Sequence, residues 1–250
     1  MNYYDEDLLL SRLRDLSYGS IKSNTARYTD FLDPRQQSIV IGFFKKHKSS
    51  SFKFYGGYEE AERRACAIYN ENNEESNIEF PIEILRLSWN PYKKIGHRDI
   101  LGSIIGNGIK RDKIGDIILH GEDIAHIFVH KDICNYIVNN LLKIGNTSVK
   151  IEYADSIPSY TKDIRQISSI VASMRLDCIL CAGFGLSRSK AQEAIKGSKV
   201  FVNWGIKNSV SMEIKEGDII SYRGKGRIHV RSVLGSTKKD RIKISIVKYV

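Results

Sequence analysis

The sequence predicts an α+β chain in three parts, and three observations predict it. Helical and strand-like periodicities alternate over the first two thirds of the 250 residues, and strands dominate beyond residue 203. The formal charge of +10 is confined to one end: Met174 to Val250 holds 16 Lys+Arg against 6 Asp+Glu, whereas the preceding residues hold 23 of each. A basic end on a neutral body points to a polyanionic partner. The expected boundaries are an N-terminal α/β region over 1–77, a middle domain over 78–158, a linker over 159–173, and a basic module with a terminal hairpin over 174–250. With 42% hydrophobic and 27% charged residues, such a chain can bury real cores. The start, MNYYDEDLLL, is acidic and is not expected to be a secretory leader. No apolar run approaches the ~20 residues that span a bilayer, and Ile39 to Phe44 is far short of it. Four cysteines in that context imply reduced thiols. The expectation is a soluble cytoplasmic protein with no membrane partner.

In the N-terminal region, residues 5 to 18 place Leu8, Leu9, Leu13 and Leu16 near one helical face. Asp33 followed by Pro34 marks a second helix start, running to about His47. Phe52 to Tyr55 reads as a strand, and Gly56-Gly57 as a turn. Glu59 to Arg63 is expected to open a helical piece, with Ala65 to Tyr69 its end or a strand. Asn70 to Asn77, acidic and Asn-rich, is expected to be a solvated linker.

The middle domain has a clearer rhythm. Ile82 to Trp89 is strand-like and His97 to Gly106 helix-like. Gly115 to Leu119 and Ala125 to Val129 are strands around His120-Gly121-Glu122-Asp123. Lys131 to Lys143 is expected to be an amphipathic helix carrying Ile133, Ile137, Leu141 and Ile144, and Ser148 to Tyr153 a closing strand. The order βαββαβ is the ferredoxin-like arrangement, which RNA-recognition domains share with many unrelated functions. Only Trp89 and Phe128 supply aromatics to the expected central strands, so packing or protein contact is the plainer expectation for this domain.

The basic module, MRLDCILCAGFGLSRSKAQEAIKGSKVFVN over 174–203, reads as two short helices, a glycine-rich turn and a strand. Ser187 is a good N-cap and Gly197 a stop. Ala191, Ala194 and Ile195 share an apolar arc; Ser189, Gln192 and Lys196 lie opposite, with Arg188 and Lys190 at its flanks. Backbone N–H groups at the helix start, with Arg188, suit a phosphate. Beyond Asn203, Gly217-Asp218 is a turn, Ile219 to Arg223 a strand and Gly224-Lys225-Gly226 a basic glycine loop. His229 to Leu234 and Arg241 to Tyr249 form the terminal hairpin.

The pattern Arg175-Leu176-Asp177, then LSRSKAQEAIKGSKVFVN at 186–203, resembles the S4 domain, a small RNA-binding module. Two departures narrow it: Trp204 stands where S4 domains usually carry glycine after Val-Asn, and Arg223-Gly224-Lys225-Gly226-Arg227 follows. Both resemble the YlmH family of bacterial S4 proteins. So do Phe31-Leu32-Asp33-Pro34, Gly56-Gly57-Tyr58 with Ala61-Glu62-Arg63, His97-Arg98-Asp99 with Leu101-Gly102, and Gly115-Asp116. The resemblance implies a non-catalytic protein on the large ribosomal subunit, engaging ribosomal RNA and tRNA in ribosome-associated quality control. It matches Arg175, Ser187, Arg188, Lys190, Gln192 and Lys199 to RNA-contacting positions. Lys196 and Asn203 join that surface, and Arg223, Lys225 and Arg227 are added because a basic glycine loop brings donors close to phosphate. A monomer with no cofactor, no metal and no DNA partner is expected.

Other motifs lose their chemistry on inspection. Arg175-Leu176-Asp177 matches the catalytic triplet of pseudouridine synthases, but too little chain follows it, and in S4 domains Asp177 is expected to cap or pair. His97-Arg98-Asp99 resembles a kinase catalytic loop, but Ile104 stands where Asn belongs, so Arg98 and Asp99 are expected to cap a helix or form a buried ion pair. Gly102 to Gly108 fits no dinucleotide fingerprint. Cys178 and Cys181 form a lone pair without further zinc ligands, and are expected to pack as small hydrophobes. His126 and His130 straddle a strand-to-helix junction. Two alternatives stay open at this point: an RNA-modifying enzyme aimed by its S4 domain, and an interaction protein serving, for example, cell division.

Overall fold

The computed structural model describes residues 3–47, 50–70, 78–160, 164–237 and 240–249. It contains two compact units, Met1–Pro158 and Ser159–Val250. In the first, α1 (Tyr3–Ser23) and α2 (Pro34–Lys46) cover a small antiparallel sheet of order β1-β3-β2, with β1 Arg27–Tyr28, β2 Ser51–Tyr55 and β3 Ala65–Tyr69. Asp33 caps α2 reciprocally: its carboxylate accepts from the Gln36 N–H, while the Gln36 side chain accepts from the Asp33 N–H. Leu9, Leu13, Val40, Phe43, Phe44, Cys66 and Ile68 close this core. All five residues of β3 are buried, which explains why its apolar run carries no alternation in sequence. Glu59 to Arg63 is not helical. Its backbone is captured by a carboxylate from the middle domain, as described below. Of the acidic segment 70–77, residues 71–77 lie outside the described residues.

The middle domain runs β4 (Ile82–Trp89), α3 (His97–Gly106), β5 (Ile114–His120), β6 (Ile124–His130), α4 (Cys134–Asn140), β7 (Lys143–Ile144) and β8 (Thr147–Ala154). The sheet order β5-β6-β4-β8-β7 is that of the ferredoxin-like fold, with β7 added at the edge. The second helix is shorter than expected. Residues 131–133 form a tight 3-10 turn before it, and after Asn140 the chain turns into β7. Leu141 and Ile144 still reach the core, so their spacing marked burial and not helix. Asp99 caps α3 by accepting from the Gly96 N–H at 2.8 Å. Arg98 is exposed and makes no buried ion pair.

A joint fastens the N-terminal region to this sheet. The Asp116 carboxylate accepts from the Tyr58 hydroxyl at 2.8 Å, the Glu62 N–H at 2.7 Å and the Arg63 N–H at 3.1 Å. The Arg63 guanidinium donates to the Ile114 and Phe31 carbonyls. Gly57, at φ +99°, lies so close to the Phe128 ring that a β-carbon there would overlap it. A β-carbon at Gly115 would stand 2.7 Å from Phe31. The scattered motifs shared with the YlmH pattern, Phe31, Gly56-Gly57-Tyr58, Glu62-Arg63 and Gly115-Asp116, therefore meet in one place.

The second unit is a six-stranded sheet of order β11-β10-β12-β13-β14-β9 with two helices packed on it. Its elements are β9 (Ile164–Val171), α5 (Leu176–Phe184), α6 (Arg188–Lys196), β10 (Val200–Val202), β11 (Gly205–Ile206), β12 (Ile219–Tyr222), β13 (Gly226–Ser236) and β14 (Ile242–Tyr249). The expected linker 159–173 is corrected here: Ile164 to Val171 pairs with β14 over eight residues and belongs to this sheet. Only Ile167 and Val171 of β9 join the core, so its sequence shows little strand periodicity. Gly183 lets α5 lie directly on Ile228, and Gly185 ends that helix at φ +65°.

Candidate nucleic-acid interface

The candidate surface is organised around a buried acid. Asp177, in the first turn of α5, has no exposed surface. Arg175 grips it with two donors, Nε to Oδ1 at 3.1 Å and a terminal nitrogen to Oδ2 at 3.2 Å. Arg188 Nε reaches Oδ2 at 3.3 Å and Gln192 Nε2 reaches it at 3.4 Å. The Cys178 N–H also donates to Oδ1 at 3.0 Å. Burial works to raise the Asp177 pKa, but the hydrogen bonds from Arg175, Gln192 and Arg188 and the Arg175 charge outweigh it and hold the carboxyl below the usual carboxylate range. Asp177 is an ionised structural clasp between α5 and α6, enclosed and out of reach of any substrate.

This clasp revises the roles of three sequence-predicted residues. Arg175 and Arg188 each give part of their charge to Asp177, although the Arg188 side chain keeps 67% of its surface exposed. Gln192 does not lie opposite the packed face, since its amide turns in to the same carboxylate. Reversing the charge of Arg188 is therefore expected to disturb the clasp as well as the surface.

The remaining predicted residues sort into exposed cations and a turn. Ser187 caps α6, its hydroxyl accepting from the Lys190 N–H, and Lys190, Lys196 and Lys199 are exposed along and just past the helix. The Lys199 N–H bonds the Ala194 carbonyl, and its own carbonyl accepts from the Arg223 N–H at 2.9 Å. Lys199 and Arg223 are thus cross-strand neighbours, with Arg223 5.5 Å over the Phe201 ring. Lys225 is exposed at the β12–β13 turn, where Gly224 and Gly226 take φ +82° and +99°. Arg227 is half-buried, donates to Ser221 and lies 6.0 Å over the Trp204 ring.

Asn203 is exposed, but its side chain is engaged within the turn. Its amide donates to Asp218 at 2.8 Å and accepts from the Ile219 N–H at 3.0 Å, which ties two turns together. Asn203 and Trp204 take φ +47° and +62°, a two-residue hairpin turn between β10 and β11. Trp204 therefore sits where glycine would be relaxed. The sequence showed the departure, but only the backbone shows that it is a conformational one.

Among the described residues, no group of three or more His, Cys, Asp or Glu is placed to hold a metal ion, and no helix is long and apolar enough to cross a membrane. Cys178 and Cys181 pack against the second core, and burial raises the Cys181 thiol pKa. His126 stacks edge-on against His120 at 4.8 Å, not with His130.

Comparison with known proteins agrees with this anatomy. Residues 76–157 match a family model described as "Putative RNA-binding domain in YlmH", and residues 174–220 match the S4 domain. The chain is 32% identical over 225 residues to "Ribosome-associated protein quality control protein P2" of Bacillus subtilis, covering 88% of this chain and 86% of that protein. A solved structure, "Cell division protein ylmH from Streptococcus pneumoniae", shares the fold with a TM-score of 0.50 at 22% identity, over 62% of this chain and 93% of that one.

Proposed function

Because the chain belongs to the YlmH family of S4-domain proteins, we propose that it binds structured ribosomal RNA and tRNA on the large ribosomal subunit, in quality control of stalled translation. It acts without catalysis, as a cytoplasmic monomer. The observation that carries this reading is the separation of roles within the second unit. Arg175, Arg188 and Gln192 are drawn to Asp177 and fix the two helices. Lys190, Lys196, Lys199, Arg223 and Lys225 stay exposed for phosphate. Point charges on a rigid frame suit RNA shape better than base identity.

Sedimentation of the purified protein with isolated large and small ribosomal subunits, across a salt series, tests it. Selective pelleting with large subunits, lost steeply as salt rises, is expected. The triple variant K190E/K199E/K225E touches no buried contact and should weaken pelleting more than about tenfold. Unchanged pelleting of that variant would sink the assignment. Association that survives nuclease treatment would point instead to a protein partner.

A further inference from the structure

The middle domain has the strand order of an RNA-recognition sheet, yet the face such sheets offer to bases is partly taken up by packing and ion pairs. On the central strands β4 and β6, Leu85, Leu87, Trp89, Ala125, Ile127 and Val129 join the core under the helices. Alternation leaves Ile84, Arg86, Ser88, Ile124, His126 and Phe128 on the opposite face. Phe128 is fully buried there, stacked on Tyr58 at 4.9 Å. Arg86 pairs with Glu152, which also holds Lys150.

Exposed cations and an exposed ring gather instead where β4 leaves the sheet. Tyr92 is 92% exposed, followed directly by exposed Lys93 and Lys94, with exposed Arg98 in the first turn of α3. The loop that carries them is pinned. The Asn90 side chain accepts from the Tyr92 N–H at 3.0 Å, its carbonyl from the Lys93 N–H at 2.9 Å, and Trp89 Nε1 donates to the Lys93 carbonyl at 3.1 Å. Lys94 and Arg98 open on a cleft of about 510 Å³, walled by Ser103 and by the Gly145-Asn146 turn. The carboxylate in its lining, Asp99, is turned onto the Gly96 N–H.

We propose that this edge, Tyr92, Lys93, Lys94 and Arg98 with the adjoining cleft, is a second RNA-contacting surface that takes an unpaired nucleotide. The base stacks on Tyr92, and Lys94 and Arg98 hold its phosphate. The inference rests on the reading of the chain as an RNA binder, and it assigns the middle domain's contact to a loop edge in place of a sheet face. A ring on a pinned loop gives stacking without sequence preference, and the flanking lysines supply counterion release.

Ultraviolet crosslinking of the full chain to deproteinised ribosomal RNA, with peptide mapping, tests it alongside affinities for the same RNA. Crosslinks at Tyr92 are expected, with affinity about fivefold weaker in Y92A and a shallower salt dependence in K93E/K94E. Because these side chains are exposed, the variants should fold as the parent does, which circular dichroism checks. Wild-type affinity in both variants, with no crosslink at Tyr92 but loss in K190E/K199E, overturns this edge and leaves the S4 surface standing. Loss in none of the variants removes both readings. Nuclease-resistant capture of a protein that Y92A abolishes would overturn the edge in favour of protein docking.

Discussion

Asp177 shows how one residue governs the chemistry of its neighbours. A carboxylate without exposure is costly unless donors surround it, and here three side chains and one backbone N–H do. Replacing it with Asn removes the charge that orders Arg175 and Arg188. Since both arginines are partly exposed and screened, a cost of about 2–3 kcal/mol is expected, short of the full penalty for a buried pair. The sign of its pH dependence follows from the depressed folded pKa. The contribution is complete above the unfolded value of about 3.9 and is lost as pH falls through the folded value. The stability of the parent, read by chemical denaturation, should thus fall below about pH 4, and D177N should lose that component of the pH dependence. Equal acid sensitivity in the two proteins would contradict the clasp.

Among the elements, the Asp116 joint separates glycines that matter from glycines that merely turn. Gly57 and Gly108 both have positive φ, +99° and +84°, but only Gly57 abuts a ring. Gly108→Ala should cost about 1 kcal/mol of backbone strain, whereas Gly57→Ala adds overpacking against Phe128 and should cost about 3 kcal/mol in total. Thermal unfolding of the pair reads the difference; equal losses would mean that Phe128 yields freely. The same comparison shows what the sequence could reveal. Asp33 before Pro34, and Ser187 before α6, are local N-cap signals whose partners lie three residues away, and both caps were legible, though the part Gln36 plays was not. The βαββαβ order was legible because each element carries its own periodicity. The joint was not, since Asp116 meets residues more than fifty positions away. Strand β9 was missed because seven of its eight residues keep some exposure and it is ordered by pairing with β14. The candidate site was half legible: its basic residues were visible, but the division between clasp and contact needed the position of Asp177.

At the scale of the whole molecule, the charge distribution turns into a salt dependence. If Lys190, Lys196, Lys199, Arg223 and Lys225 each displace one counterion, the slope of log affinity against log salt should be about −4. Each Lys→Gln change among them should shallow it by about 0.7–0.9. Arg175→Gln should behave differently, lowering stability more than slope, because its guanidinium is engaged with Asp177. A slope near zero would show that the +10 net charge plays no part in binding.

The placement of the two tryptophans has a practical consequence. Trp89 is buried in the core of the middle domain, and Trp204 is half-exposed in the second unit under a guanidinium. Each unit therefore carries its own intrinsic fluorophore in a different solvent environment. Trp204→Phe should leave the blue emission of a ring in an apolar core, and Trp89→Phe a redder one. Excited at one wavelength, the unlabelled protein offers two optical channels for following its halves as they unfold or meet RNA.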